Sequence, residues 1–282
     1  MPEGDTIFRS ARALDRALTG KQVTHFETAY ANLASVNDNT PVPGRTVEKV
    51  ESRGKWLLIH FSGDLVLVTH MLMNGSWHIY RRGEHWRRSR QHMRVVIATA
   101  DFEAVGFDIP IARFHNKRSL QRNSNLSSLG PDLLGESFSR DEAAERLRAQ
   151  AEEEVANALL NQRVMAGIGN VFKSEICFAC GVNPFRRVST LTAEEVDCLL
   201  HTARRFLAAN VASDAGDSIV TYSGGRRTTG NDNPGARLWV YRRRGLACRR
   251  CGELILSRKQ GTGARSTYWC PQCQPMRSEE IA

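Results

Sequence analysis

Hydrophobic and polar positions repeat with two different periods along this chain, and the change of period divides it. Residues 3–19 carry apolar side chains at steps of three and four, as on one face of a helix, and Gly20 suits the helix end. From about 21 to 115 the pattern changes to short runs rich in β-branched and aromatic residues, separated by turns such as Asn74-Gly75. Five strands are predicted there: 47–50, 56–61, 65–69, 77–80 and 94–99. Short strands with little helix between them indicate a β-sandwich rather than a parallel sheet.

The second half of the chain has a helical pattern. The stretch 121–135 has linker composition, and we place the domain boundary there. Three helices are predicted after it, over 140–150, 153–161 and 171–180. A long fourth helix is expected after Thr192, which can form a capping box with Glu195. These patterns predict four segments: a β-sandwich over 1–120, a linker over 121–135, a helical domain over 136–225 and a small module over 238–275.

Four cysteines near the C-terminus predict a metal site. Their spacing is C-x2-C-x18-C-x2-C, and the residues are Cys248, Cys251, Cys270 and Cys273. This spacing is typical of one structural Zn²⁺ ion that is bound tetrahedrally and closes a small β-hairpin. Basic residues crowd the same module, so we expect it to hold a loop against something anionic.

The other three cysteines, Cys177, Cys180 and Cys198, lie in apolar helical surroundings. Cys177 and Cys180 form a further C-x2-C, which is compatible with a redox site or a second metal site. No matching pair of cysteines or histidines lies nearby in the sequence. We therefore expect all three to be buried, reduced thiols.

Charge narrows the class of partner. The formal net charge is +9 and the isoelectric point is near 9.5, which favours a polyanionic partner such as nucleic acid, although ribosomal and membrane-surface proteins share this bias. Apolar residues make up 41% of the chain, enough for a sizeable core. No apolar run approaches the roughly 18 residues that span a bilayer, and no signal peptide is visible. The sequence therefore predicts no membrane association and a cytoplasmic location.

Three local sequences have both a functional and a structural interpretation. Residues 166–170 form a glycine-rich turn in which Asn170 can cap the next helix and the free N–H groups can bind phosphate, but a plain helix–turn–helix joint is equally compatible. Lys55 lies at a turn before an apolar strand, where it can reach a phosphate or remain an exposed lysine. The hairpin tip 70–75, with its methionines, favours core packing, or alternatively a wedge into a DNA base stack.

The N-terminal residues Pro2 and Glu3 are candidates for a catalytic nucleophile and a proton donor. Removal of Met1 would expose the secondary amine of Pro2, and an α-amino group titrates at about pH 7.7–8.0, so part of it is a neutral nucleophile at physiological pH. Such an amine can attack a sugar C1′ and form an iminium ion, with Glu3 as a proton donor. Met-Pro starts are common, however, and both residues also suit the first turn of a helix.

Taken together, four motifs resemble those of the formamidopyrimidine-DNA glycosylase and endonuclease VIII family, in the same order and spacing across the whole chain. They are Met1-Pro2-Glu3-Gly4-Asp5, Arg53-Gly54-Lys55, Ala166-Gly167-Ile168-Gly169-Asn170 and the terminal 265–273. The resemblance implies an α+β fold of two lobes. The first lobe is an N-terminal β-sandwich with a leading helix. The second is a helix–two-turn–helix DNA-binding bundle with a β-hairpin zinc finger, and DNA binds between the lobes.

The resemblance also implies a role for each site residue. Pro2 is the Schiff-base nucleophile, Glu3 donates a proton to the opening deoxyribose, and Lys55 contacts phosphate and assists β-elimination. Asn170 and Arg265 bind phosphates of the damaged strand, and Arg265 is linked to δ-elimination. Three residues of the insertion loop are expected to contact DNA: His70, Leu72 and Met73.

The implied protein is a bifunctional DNA glycosylase and abasic-site lyase of base-excision repair. Its implied partner is double-stranded DNA that contains oxidised bases or abasic sites, and it acts as a monomer in the bacterial cytoplasm. The arginine–phenylalanine pair of the 8-oxoguanine branch is missing from 101–114, which favours the endonuclease VIII branch and oxidised pyrimidines. Leu72 replaces a glutamine and Ser128 an arginine of the bacterial endonuclease VIII pattern. Two alternatives stay open: an 8-oxoguanine-type glycosylase, and a non-catalytic zinc protein that binds damaged DNA.

Overall fold

A computed structural model describes residues 2–212, 228–229 and 236–276 of this chain. The described residues divide into two compact units. The first unit covers 2–128, and the second covers the described residues from 129 onward. The division falls between Ser128 and Leu129, inside the stretch that the sequence marks as a linker. The predicted end of the helical domain at residue 225 lies outside the described residues.

The first unit is the β-sandwich with its leading helix, as the sequence predicts. Its helices are α1 (Gly4–Leu18), α2 (Ala31–Asn39), α3 (Lys117–Gln121) and α4 (Ser124–Ser127). Its strands are β1 (His25–Thr28), β2 (Val47–Arg53), β3 (Trp56–Phe61), β4 (Leu65–His70), β5 (Ser76–Arg81), β6 (Met93–Ala98), β7 (Phe102–Phe107) and β8 (Ile111–His115). They form two four-stranded sheets, β1-β6-β7-β5 and β2-β3-β4-β8, in which every pair is antiparallel.

The helix α1 is attached to the sandwich through its apolar face. Ile7, Leu14 and Leu18 are buried in the same core as the inward side chains of both sheets. The carboxylate of Asp15 accepts a hydrogen bond of 2.8 Å from the backbone N–H of Val50, which ties the helix to β2. Because the helix is held by packing and by this bond, the position of its N-terminus is fixed relative to the sheet.

The sheet β2-β3-β4-β8 has one face in the core and one face outside it. Side chains alternate along a strand, so Leu57 and Ile59 point into the core while Trp56 lies on the other face. Pairing in register places Trp56 opposite His70, and His70 opposite Ile111. These three residues therefore form a row across the outer face at one end of the sheet.

Six elements of the first unit were not predicted: β1, α2, β7, β8, α3 and α4. Their sequences are short and lack a clean alternation, so the pattern gives no signal. The strand β7, for example, contains Gly106, and its geometry is fixed by β5 and β6, which pair with it on both sides. The predicted linker also begins with local structure, because the side chain of Asn123 caps the short helix α4.

The second unit contains four helices and one hairpin. They are α5 (Arg140–Arg148), α6 (Val155–Leu160), α7 (Asn170–Ala179), α8 (Ala193–Ala212), β9 (Leu256–Gln260) and β10 (Arg265–Trp269). The predicted capping box is confirmed: Thr192 and Glu195 exchange hydrogen bonds of 2.9 and 3.2 Å at the start of α8. None of the helices among the described residues is both long and apolar enough to cross a bilayer.

The prediction for the non-ligand cysteines is wrong for two of the three. Cys180 ends α7, and its sulfur is bonded to that of Cys198 in α8, with 5.9 Å between the Cα atoms. Cys177 is a free, fully buried thiol as expected, and burial raises its pKa to about 12. The pairing could not be predicted because the two sulfurs meet only when α7 and α8 pack together.

Candidate nucleic-acid interface

The N-terminus of the first unit presents Pro2 and Glu3 at the start of α1. Glu3 is the residue before the first helical turn, its backbone is extended, and its side chain is fully buried. The carboxylate of Glu3 makes no capping hydrogen bond to the helix, whereas the acid in the first turn is Asp5. Glu3 therefore does not act as a hydrogen-bonding cap, and its position at the N-terminus of α1 remains compatible with a favourable interaction with the helix dipole. Met1, whose removal would expose the Pro2 nitrogen, lies outside the described residues.

Lys55 lies at the tight turn between β2 and β3. Gly54, just before it, has a φ of +57°, a left-handed conformation that glycine adopts without strain. The turn closes directly on the pair Arg53–Trp56, so Lys55 is fixed at the end of the sheet that also carries His70. Lys55 and His70 are close enough to interact electrostatically, which brings these two predicted site residues together.

The pKa of His70 is lowered to about 4, first by burial of the imidazole and then by the positive charge of Lys55. The ring lies edge-on to Trp56, with 4.7 Å between the ring centroids. Its Nδ1 accepts a hydrogen bond of 3.0 Å from the backbone N–H of Leu72, which requires that nitrogen to be unprotonated. A neutral His70 therefore holds the backbone of Leu72 in place within the insertion loop.

The loop after His70 separates a buried methionine from two exposed apolar side chains. Met71 is 1% exposed and belongs to the core, as the packing interpretation predicts. Leu72 and Met73 are 45% and 59% exposed, so they do not contribute to the core. A Cβ atom at Gly75 would lie 2.6 Å from the carbonyl oxygen of Met71, so the turn needs glycine there. The loop thus presents two large apolar groups to solvent, which suits a wedge.

We expect an NMR titration to give His70 a pKa of about 4 and the neutral ring protonated on Nε2. Because an unfolded histidine titrates at about 6.5, the unfolded state binds more protons between these values, so His70 makes the fold less stable as the pH falls from about 6.5 to 4. The free energy of unfolding falls by at most about 3 kcal/mol over this range. A Lys55→Gln variant should raise the pKa of His70 only in part, since burial is the larger cause. A wild-type pKa above 6 would contradict this arrangement.

In the second unit, the prediction that Asn170 caps its helix is wrong. The residue before α7 that serves as its cap is Gly169, and Asn170 is the first helical residue. The Nδ2 atom of Asn170 instead donates a hydrogen bond of 3.0 Å to the backbone carbonyl of Ser266, 96 residues away on β10. An amide nitrogen carries two N–H bonds, so the second remains available for another acceptor. Asn170 therefore fixes the strand that carries Arg265.

The hairpin β9-β10 is anchored at several points near Arg265. Gln260, which pairs with Arg265, donates hydrogen bonds of 2.7 Å to the carboxylate of Glu154 and 3.0 Å to the carbonyl of Pro184. On the other strand, the hydroxyl of Ser174 in α7 accepts a hydrogen bond of 3.3 Å from the N–H of Tyr268. Because α7 and the start of α6 both hold the hairpin, the backbone of Arg265 has a fixed position in this unit.

The four cysteines predicted to bind metal lie together at the opposite end of the same hairpin. Their sulfurs are all within 4.8 Å of one another, as one tetrahedral ion requires. Backbone N–H groups of Arg250 and Cys273 point at two of the sulfurs at 3.4 Å. Burial and the neighbouring thiols raise the pKa of Cys273, so a divalent cation is needed to hold all four as thiolates. The residues fit structural Zn²⁺, which would close the module without taking part in chemistry.

Glu175 is an important residue that the sequence did not reveal. It lies in the apolar helix α7, is fully buried, and accepts hydrogen bonds of 2.8–2.9 Å from the backbone N–H groups of Trp239, Val240 and Tyr241. The Thr228 hydroxyl also donates to it. The sequence offers one signal for this role, which is a carboxylate within the otherwise mainly apolar segment 171–180. Glu175 joins the helix that carries Asn170 to the start of the zinc module.

Comparison with known proteins identifies the same three parts. The family models that match are the formamidopyrimidine-DNA glycosylase N-terminal domain over 1–122, the formamidopyrimidine-DNA glycosylase H2TH domain over 129–222, and the zinc finger found in FPG and IleRS over 245–275. The solved structure of Lactococcus lactis Fpg with DNA containing an abasic site superposes with a TM-score of 0.82, covering 98% of this chain and 100% of that one. Its sequence identity is 20%, so it supports the fold alone.

Two curated relatives align over nearly the whole chain. The probable endonuclease 8 2 of Streptomyces coelicolor is 40% identical over 277 residues, which cover 97% of this chain and 94% of that protein. The DNA-(apurinic or apyrimidinic site) lyase Nei2 of Mycolicibacterium smegmatis is 39% identical over 277 residues, which cover 97% of this chain and 99% of that protein. Identity of this extent, added to the three matching domains, shows that the chain belongs to the endonuclease VIII branch of the formamidopyrimidine-DNA glycosylase family.

Proposed function

We propose that this protein is a bifunctional DNA glycosylase and abasic-site lyase of base-excision repair, acting as a monomer on oxidised pyrimidines. The observation that carries the proposal is the fully buried carboxylate of Glu3, next to Pro2, which is not used to cap its helix. Perturbed or buried ionisable groups cluster at functional sites, and a buried acid beside a candidate nucleophile suits a proton donor.

The reaction begins when the Pro2 nitrogen attacks C1′ of the damaged nucleotide. The bond between C1′ and the base breaks, and the base takes the proton that the Pro2 nitrogen loses. Glu3 then donates a proton to the ring oxygen as its bond to C1′ breaks, and the open sugar is linked to Pro2 as an iminium ion. Successive β- and δ-elimination then cleave the strand on the 3′ and 5′ sides, with Lys55 and Arg265 at the phosphates.

The remaining site residues hold the DNA while a nucleotide is extruded. Extrusion costs a few kcal/mol of lost stacking, least for a damaged base. Exposed Leu72 and Met73 offset this cost by filling the space left in the base stack. The second N–H of Asn170 and the guanidinium of Arg265, a planar group with a fixed fork of donors, bind phosphate oxygens.

The test is borohydride trapping on duplexes that contain an abasic site, thymine glycol, dihydrouracil, a hydantoin or 8-oxoguanine. A covalent adduct on the abasic and pyrimidine-lesion duplexes is the expected result. Absence of an adduct, with protein whose Met1 is verified as removed, would leave only the non-catalytic DNA-binding alternative. Trapping restricted to 8-oxoguanine would favour the purine-type glycosylase instead.

Removing zinc should weaken both DNA binding and strand incision. The four cysteines close the open end of the hairpin, opposite the turn beside Arg265, so loss of the ion releases the whole hairpin and Arg265 with it. We expect the same loss in a Cys251→Ser variant, and recovery of the chelated wild type when Zn²⁺ is returned. The measurement is binding and incision alongside metal analysis, and unchanged incision after complete metal loss would contradict the role given to the module.

A further inference from the structure

The outer face of the sheet β2-β3-β4-β8 carries a second group of basic residues beyond the row of His70. A cavity of about 360 Å³ opens there, beside the short helices α3 and α4. Its lining includes Trp56, Arg113, His115, Arg122, Asn123 and Asn125, and all of them belong to the first unit. None of the described residues that line it is acidic.

Two arginines give this cavity its charge. Arg113 and Arg122 are both exposed, and within the part of the chain that the structure describes neither guanidinium has an ion-pair or hydrogen-bond partner. Other arginines of the same unit are paired: Arg88 with Asp108 at 2.5 Å, for example, and Arg90 with Glu27 at 2.5 Å. The two guanidiniums in the cavity thus keep all their donors available for an external acceptor.

The cavity is built rather than incidental. The amide of Asn123 lies 3.3 Å from the ring of His115, and its oxygen accepts a hydrogen bond of 3.1 Å from the N–H of Asn125. Arg113 pairs in register with the buried Val68, so the strand below it is rigid. Burial and then the charge of Arg113 lower the pKa of His115, so the histidine adds polar atoms rather than positive charge at neutral pH.

Arg113 lies on the same outer face of the sheet as His70, one step further along β8. Ile111 lies in register with His70, and Arg113 follows two residues along β8 on the same face. Two residues of a strand advance by about 7 Å, while successive phosphates of one DNA strand advance by about 3.4 Å along the helix axis. Arg113 therefore lies about 7 Å along β8 from the row that His70 and Ile111 form, which is more than one phosphate step.

We propose that this cavity is an additional binding site for the DNA backbone, in which Arg113 and Arg122 contact phosphates beyond the one bound at Lys55. The proposal rests on the proposed function for the identity of the ligand. The two arginines position the duplex and take no part in the chemistry. They extend the bound length of one strand along the outer face of the sheet.

Salt dependence of binding is the test. For an undamaged duplex, Arg113→Gln and Arg122→Gln should each reduce the slope of log Kobs against log salt by about 0.9, which corresponds to about eightfold weaker binding at 0.1 M salt. Arg113→Lys should keep the wild-type slope because it retains the charge. Arg118→Gln is the matched control, since Arg118 is an exposed arginine of α3 that does not line the cavity.

Two further measurements separate the possible failures. Duplexes shortened stepwise on either arm should remove the difference between wild type and Arg113→Gln once the contacted phosphates are gone. Trapping by Arg113→Gln on saturating abasic DNA should match the wild type within about twofold, since the chemistry is untouched. Slopes for Arg113→Gln and Arg122→Gln equal to that of Arg118→Gln would overturn the proposal. Failure of the wild type to form any trapped adduct would instead count against the catalytic function.

Discussion

A chain whose Pro2 nitrogen remains in a peptide bond should form no trapped adduct and should cleave abasic DNA at least about 10³-fold more slowly than the mature protein, the scale on which loss of a nucleophile acts. An acylated proline nitrogen is an amide, and its lone pair is delocalised into the carbonyl group, so it does not attack C1′. DNA binding should change little, because phosphates are bound by other residues.

The experiment uses an N-terminal extension that ends in a protease site placed so that cleavage leaves Pro2 first. Uncleaved protein supplies the blocked state, and cleavage of the same preparation should restore trapping and incision together. This pairing controls for folding, since both samples share one purification. Trapping by the uncleaved chain at the rate of the cleaved one would exclude Pro2 as the nucleophile and direct attention to a lysine, Lys55 first.

The second large effect is expected for Glu3→Gln. Loss of a positioned proton donor lowers a rate by about 10²–10⁴-fold, so single-turnover excision of an oxidised pyrimidine should fall by that amount while DNA affinity is preserved. Glutamine has nearly the same shape as glutamate and needs no charge in this buried position, so the fold should be retained.

The matched control for Glu3→Gln is Asp5→Asn. Asp5 is also fully buried and lies on the same helix, where it accepts a hydrogen bond from Thr6 and lies 4.0 Å from the guanidinium of Arg9. We expect Asp5→Asn to lower the thermal midpoint but to keep the excision rate within about tenfold. Equal losses of rate in the two variants would mean that Glu3 acts through structure and would remove the observation that carries the proposed function.

Motifs that are local in sequence were the part of the site that could be predicted. The four zinc-binding cysteines have fixed spacing because their loops must bring the sulfurs within bonding distance of one ion. The capping box of Thr192 was equally predictable, since both partners lie within one helical turn. Four of the five predicted strands agree with the structure to within one residue at each end, and the fifth, predicted over 47–50, extends to Arg53. The strands β1, β7 and β8 were missed because their sequences lack a clear alternation.

Asn170 shows where local reasoning stopped. Its position after a glycine-rich turn indicated a helix cap, and the residue does begin the helix. Its amide instead donates a hydrogen bond to the backbone carbonyl of Ser266. No sequence pattern around Asn170 or Ser266 predicts a partner 96 residues away. The same limit applies to the disulfide between Cys180 and Cys198, which depends on the packing of two helices. It applies also to Glu175, whose partners, Thr228 and the backbone of 239–241, lie more than 50 residues away.

The sequence by itself determined the order of the domains, the zinc ligands and the candidate nucleophile and proton donor, because each follows from residue type and from spacing along the chain. Only the tertiary structure decided the environment of each group. It buried Glu3 without a capping role, made His70 neutral beside Lys55, and gathered Arg113 and Arg122 around one cavity. Burial, pKa and shared cavities depend on distances through space, and the folded sheets and helices set those distances.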